Sequence, residues 1–334
     1  MVKSSPSLYR ANPRLMASRF VALTAKLPLR KLKRRAVTSL PKRAVLAATH
    51  PPSLFWTLMT PGGRHVASYM RSAYRTGRLS SIRLAAAWKA HKYREAVIVV
   101  RLEDGKERIA DWPVVHHNRG PFERLVREGK PFILVTGHFA AIAAYRALDT
   151  HPVASITATH GLPAELSPIQ RQFVGRPTSA GANVRFVHVG QPSLPVVLAR
   201  QLTTPNTMLI LILDGQNDLA PHWRPFAGYA SYPCQLHAAR LARLAQCPVV
   251  FNSVTWDKRG QVSVEWSNSF DPPARHDRAG ETALTNALFD ELEAAIGRHP
   301  TQYTWTTGFD RYWDDRAARW RSRKEQAPHR GPKQ

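Results

Sequence analysis

The chain has 334 residues and a mass of 37.5 kDa, with 48 Lys+Arg against 23 Asp+Glu and a formal net charge of +25. Hydrophobic residues make up 43%, which excludes a disordered chain, and two cysteines exclude a disulfide framework. The most apolar runs, such as Met208 to Leu213, fall far short of the ~20 residues a membrane span needs. No compact apolar stretch with a small-residue cleavage site marks a secretory signal, so a reducing compartment is the expectation.

The charge is uneven along the chain. Residues 1–94 hold 20 Lys+Arg and no acid, the first acid being Glu95. Residues 316–334 hold seven bases and one acid, Glu325. The 21 bases and 22 acids between them leave a near-neutral centre. Such a pattern suits a globular domain with basic attachments better than a basic nucleic-acid-binding face.

Within Pro13 to Val37, Met16, Phe20, Leu23 and Leu27 recur at helical spacing among Arg14, Arg19, Lys26 and Arg30. A basic amphipathic helix of this kind reads as membrane-surface binding, with Pro28 breaking or kinking it. Phe55 and Trp56 read equally as interfacial anchors or as part of a short core segment. Leu79 to Arg94 is helical by its spacing, Ala96 to Val100 is a short β-rich run, and residues 102–118 are loop-like. Phe122 to Glu128 is a helix closed by Gly129.

A regular alternation follows. Strands are predicted at Pro131–Thr136, Val153–Ala158, Val184–Val189 and Thr207–Leu213, then at Pro248–Trp256 and Gln261–Trp266. Helices are predicted at Ala140–Leu148, Ala164–Val174, Leu194–Leu202, Cys234–Ala245 and Glu281–Gly297. The fold class is therefore α/β, a largely parallel central sheet flanked by helices, with a basic helical N-terminal extension. The division is residues 1–70 as a membrane-surface segment, 71–315 as the α/β domain and 316–334 as a basic tail.

In such sheets ligands sit beyond the carboxyl ends of the strands. His138 lies there, directly after Phe132 to Val135, where a nearby helix N-terminus disfavours the imidazolium. A neutral imidazole in that place is a candidate general base, and a capping or packing histidine is the alternative. Asp214 ends a second strand at the same edge. No HExxH, Gly-x-Ser-x-Gly, Walker loop or Gly-x-Gly-x-x-Gly occurs, and Cys234 with Cys247 makes no metal pair. No cofactor or metal is expected, and direct transfer suits the residues better than a covalent intermediate.

Val135-Thr136-Gly137-His138-Phe139 resembles the histidine motif of the bacterial lipid A biosynthesis lauroyl/myristoyl acyltransferases, within the lysophospholipid acyltransferase group. Leu211 to Gln216 resembles the family's apolar strand ending in Asp-Gln or Asp-His. Pro225 to Gly228 resembles its Phe-Phe-Gly segment, and His299 to Trp305 its closing Pro-Glu-Gln-Tyr-Trp element. The resemblance covers about residues 80–312. It implies acyl transfer from an acyl-carrier-protein or coenzyme A thioester to a lipid or glycolipid hydroxyl, with His138 as base. With that reaction, the basic ends are expected to hold the chain peripherally on the anionic cytoplasmic face of the bacterial inner membrane, and no nucleic-acid partner is expected.

The family has an acid five residues after the histidine to hold the ring, where this chain has Ala143. Asp149 is about three helical turns, ~16 Å, from His138 and too far to substitute. Asp214 or a backbone carbonyl is expected to take over the orienting role. A site left without a carboxylate would instead belong to an impaired, lipid-binding relative. Gln216, Arg171 and Arg176 are the candidate substrate contacts, with the arginines reading as phosphate ligands or as solvated helix residues. Tyr303 and Trp305 read as core.

Overall fold

The computed structural model describes residues 50–159, 170, 177–188, 194–214, 221–227, 229–303, 313–314 and 319–320. The predicted helix Pro13–Val37, all of the predicted helix Ala164–Val174 but Gln170, residues Arg171, Arg176, Gln216 and Trp305, and nearly all of the basic tail lie outside them. Elements are numbered below among the described residues.

Three helices come first: α1 (His50–Met59), α2 (Pro61–Ala73) and α3 (Arg78–Glu103), which pack on one another. Then follow β1 (Val114–His117), α4 (Gly120–Glu128), β2 (Phe132–Thr136), α5 (Ala141–Asp149), β3 (Ala154–Thr159) and β4 (Val184–His188). The chain continues through α6 (Leu194–Gln201), β5 (Thr207–Ile212), a hairpin of β6 (His222–Phe226) and β7 (Tyr229–Cys234), and α7 (His237–Ala245). Last come β8 (Val249–Trp256), β9 (Val262–Phe270), α8 (Arg278–Arg298) and the short pair β10 (Trp313–Asp314) and β11 (Arg319–Trp320).

Seven strands form one sheet in the order β1-β9-β8-β2-β5-β3-β4. The five from β8 to β4 are parallel. β9 returns antiparallel on β8, and β1 runs parallel to β9. Strand periodicity sorts the sheet between two cores. Ile133 and Val135 of β2 and Leu209 of β5 face the core under α2, α6, α7 and α8. Phe132 and Leu134, with Met208, face the core under α4, α5 and the end of α3. Residues buried on both sides explain the unbroken apolar runs of these strands.

Most predicted elements stand within a few residues of their expected bounds. Ala96–Val100 does not: α3 is helical to Glu103. Val97 and Ile98 are buried, and their packing outweighs the β preference of a Val/Ile run. The loop expected over 102–118 contains a turn of 3₁₀-helix at Ile109–Asp111 and strand β1. The helix expected from Cys234 starts at His237, because Cys234 still pairs with His222 in the hairpin. Gly129 closes α4 at φ 64°, as expected of a left-handed cap. The boundary drawn at residue 70 falls inside α2, whose Ala67, Tyr69 and Met70 belong to the larger core.

Candidate active site

The site grows out of the register of two neighbouring strands. In the parallel pair β2 and β5, Thr136 lies opposite Ile212, and the Leu213 N–H donates to the Thr136 carbonyl at 2.8 Å. Two residues past each partner stand His138 and Asp214. The Gly137-His138-Phe139 segment then folds back tightly, with the Phe139 N–H donating to the Gly137 carbonyl at 2.9 Å. A side chain at Gly137 would run into Leu292 of α8, which is fully buried, so the close approach needs glycine.

The turn brings His138 Nδ1 to 2.7 Å from Asp214 Oδ1, while the His138 backbone N–H donates to Oδ2 at 3.1 Å. Tyr303 Oη–H also donates to Oδ2, at 2.5 Å, and Tyr232 Oη–H donates to the Asp214 carbonyl at 2.9 Å. Trp88 of α3 in turn donates its indole N–H to the Tyr303 carbonyl at 2.9 Å. The carboxylate is thus held by three donors, and buried charge is tolerable only when it is so satisfied. Its side chain is 2% exposed, whereas that of His138 is 34% exposed.

Burial works against the imidazolium, but the charge and hydrogen bond of Asp214 outweigh it and hold the His138 pKa above its ordinary value. Lys92 of α3 opposes them. Asp214 shows the converse: burial would raise its pKa, yet His138 and the hydrogen bonds of Tyr303 and the His138 backbone hold it low. This corrects the sequence expectation of an imidazolium disfavoured by a helix dipole. α5 begins three residues later, at Ala141, and the carboxylate dominates the local field. An ionised carboxylate has only lone pairs, so Nδ1 carries the proton and Nε2 of the neutral ring keeps its lone pair. A ring oriented in this way can take a proton from a hydroxyl.

Ala143 is fully buried in the apolar core around α5. Asp149 is engaged elsewhere, with Arg146 Nη1 at 2.6 Å and the Ser179 N–H at 2.9 Å. The position of the absent acid is therefore apolar, and the carboxylate beside His138 comes from the neighbouring strand. The structure brings His138 and Asp214 together. It adds Tyr303 and Tyr232, which the sequence reading placed in the core or passed over. Tyr303 is indeed buried, at 4% exposure, but its hydroxyl ends on the carboxylate. The signal available in sequence was its place in the His299 to Trp305 stretch. Gln216, Arg171 and Arg176 lie outside the described residues.

No family model matches the chain, and no curated protein matches it. Among solved structures it is similar to the 1-acyl-sn-glycerophosphate (LPA) acyltransferase PlsC from Thermotoga maritima. Identity is 11% and the TM-score 0.35, covering 75% of this chain and 97% of that chain.

Proposed function

We propose that this protein is an O-acyltransferase acting on a lipid or glycolipid hydroxyl at a membrane surface, with an acyl-carrier-protein or coenzyme A thioester as donor. The observation that carries the reading is the His138–Asp214 pair at the carboxyl edge of the parallel sheet, 2.7 Å apart, with the imidazole partly exposed and the carboxylate buried. The ordered resemblance of four sequence stretches to the lipid A acyltransferases supports the reaction class.

In the proposed step, Nε2 of His138 takes the acceptor's hydroxyl proton as its oxygen attacks the thioester carbonyl. The resulting tetrahedral oxyanion collapses, and the sulfur leaves with the proton returned by the imidazolium. Asp214 holds the Nδ1–H tautomer and offsets the transient positive charge, the role a carboxylate plays in a hydrolase triad. Tyr303 fixes the carboxylate and is a positioning residue. Gln216, Arg171 and Arg176 are proposed to contact the acceptor or donor, and the basic ends to attract an anionic leaflet or an acidic carrier protein.

The test is acyl transfer from a radiolabelled acyl thioester to extracted lipids by wild type, His138→Ala and Asp214→Asn. Turnover that is equal in all three, or absent from the wild type, overturns the reading.

A further inference from the structure

The turn that delivers His138 leaves a gap in the sheet. β2 stays beside β8 as far as Thr136, which lies opposite Asn252, and then folds back at Gly137. β8 runs on without it to Trp256. On the other side of β8, Trp256 lies opposite Val262 of β9, but the Val262 N–H donates away from it, to the Pro113 carbonyl. Trp256 and Val262 are thus a non-hydrogen-bonded pair of the antiparallel ladder, and the N–H and C=O of Trp256 point to the side that β2 has left. Trp256 is 3% exposed, so water is a poor substitute for the missing strand.

Gln302 fills the gap. Its Oε1 accepts from the Trp256 N–H and its Nε2–H donates to the Trp256 carbonyl, each at 2.7 Å. A side-chain amide offers a donor and an acceptor side by side, as a strand's backbone does. The next residue is Tyr303, whose hydroxyl donates to Asp214 Oδ2 and whose ring lies 5.4 Å from that of Phe139, beside His138. Two adjacent residues therefore tie the end of β8 to the carboxylate of the site. The segment is pinned at two further points: His299 Nε2 lies 3.0 Å from Glu265 Oε1, and Trp88 donates to the Tyr303 carbonyl.

We propose that Gln302 is a positioning residue for the His138–Asp214 pair: by standing in for the strand that β2 gives up, it fixes where the Tyr303 hydroxyl ends and so how firmly Asp214 is held. For its effect on acyl transfer this role rests on the reaction proposed above; for its effect on the imidazole it does not. Tyr303 shares the negative charge of Asp214. When its hydroxyl drifts away, the carboxylate keeps its two bonds to His138 and draws harder on the imidazolium. The ring then holds its proton to higher pH, and since the neutral ring is the active one, the acid limb of the pH profile moves up. Loss of Asp214 itself moves that limb down, so the two causes separate by sign. Lys92 of α3 and Tyr232 of β7 also face the pair, Glu265 and His299 flank the turn, and all four stay unaltered in the variants below.

The test is a histidine Cε1–H NMR titration of the full chain beside the pH profile of acyl transfer, with the His138 signal identified by its loss in His138→Ala. Gln302→Met removes both hydrogen bonds at similar length. Gln302→Ala removes them and leaves room for water to meet the Trp256 backbone, which makes it the milder change to folding. Both variants are expected to raise the His138 pKa by about 0.3–0.5 and to lower kcat about 3- to 10-fold with KM little changed. Tyr303→Phe is expected to give the same rise, and Gln302→Met/Tyr303→Phe no larger one, because Gln302 acts through that hydroxyl.

A His138 pKa that is unmoved or lowered in the Gln302 variants overturns the inference. So does a double variant whose rise is the sum of the two single rises, since Gln302 then acts by another route. Should Gln302→Met melt too low to be titrated, Gln302→Ala decides. A wild type that transfers no acyl chain defeats the proposed reaction, and the titration still decides the role of Gln302.

Discussion

Two histidines flank the same short helix and end in opposite chemical states. His138 precedes α5 and His151 follows it. His138 stands at the carboxyl edge of the sheet, a third exposed, against a buried carboxylate that holds its pKa up. His151 is buried between Phe122 and Trp266, at centroid distances of 5.2 and 5.6 Å, and among the described residues neither ring nitrogen has a hydrogen-bond partner. Burial pushes its pKa down to about 3, with His116 and Arg119 adding to the effect. One ring is held so that it can exchange a proton, and the other so that it stays neutral. The difference lies in the neighbouring strand: β5 delivers Asp214 to one end of α5, and β9 delivers Trp266 to the other.

The largest expected effect falls on the first histidine. His138→Ala should lower acyl transfer by about 10²–10⁴-fold, the usual contribution of a positioned base. Its melting temperature should fall modestly, since the buried Asp214 carboxylate loses one of its three donors. Asp214→Asn should cost about 10²-fold and also move the pH profile. In wild type the active ring is neutral, so turnover falls as the pH drops through a His138 pKa that stands above ~6.5. Without the carboxylate, burial dominates and that acid limb should move to lower pH. An unmoved limb would show that Asp214 does not set the ring's protonation.

The comparison sharpens when His151 is changed. Its folded-state pKa lies below its unfolded value, so the unfolded chain binds the extra proton as the pH falls below ~6.5. The stability it withdraws on acidification should reach at most about 1.4 kcal/mol per pH unit. His151→Phe should flatten the urea-denaturation profile between pH 7 and 4 and leave acyl transfer unchanged. The smallest effect is expected for Tyr303→Phe, about 3- to 10-fold in kcat, since one of three donors to Asp214 is lost while the pair persists. A change in KM alone would place Tyr303 in substrate binding instead.

Much of the fold was legible because the central strands are buried on both faces. Phe132–Val135 and Met208–Leu209 are buried, and the apolar runs that contain them stand out. The reading failed where a local preference met a tertiary demand. Ala96 to Val100 looks like a strand but continues α3, because Val97 and Ile98 are buried in the packed helix. The His222–Cys234 hairpin is missed because its residues show no clear alternation, and Tyr232 also bonds the Asp214 carbonyl. Tyr303 reads as core in the sequence, because burial and hydrogen bonding are indistinguishable in a one-letter code.

Sequence alone determined that His138 and Asp214 each follow an apolar strand, that the first 94 residues carry bases and no acid, and that no acid stands within ten residues after His138. These are facts of chain order, and strand periodicity reads them directly. Tertiary structure decided which two strands lie side by side, in what register, and hence that the carboxylate beside His138 comes from 76 residues away. It also decided that Gln302 meets the end of β8. Both outcomes depend on which surfaces meet, and a single chain's local pattern does not contain that information.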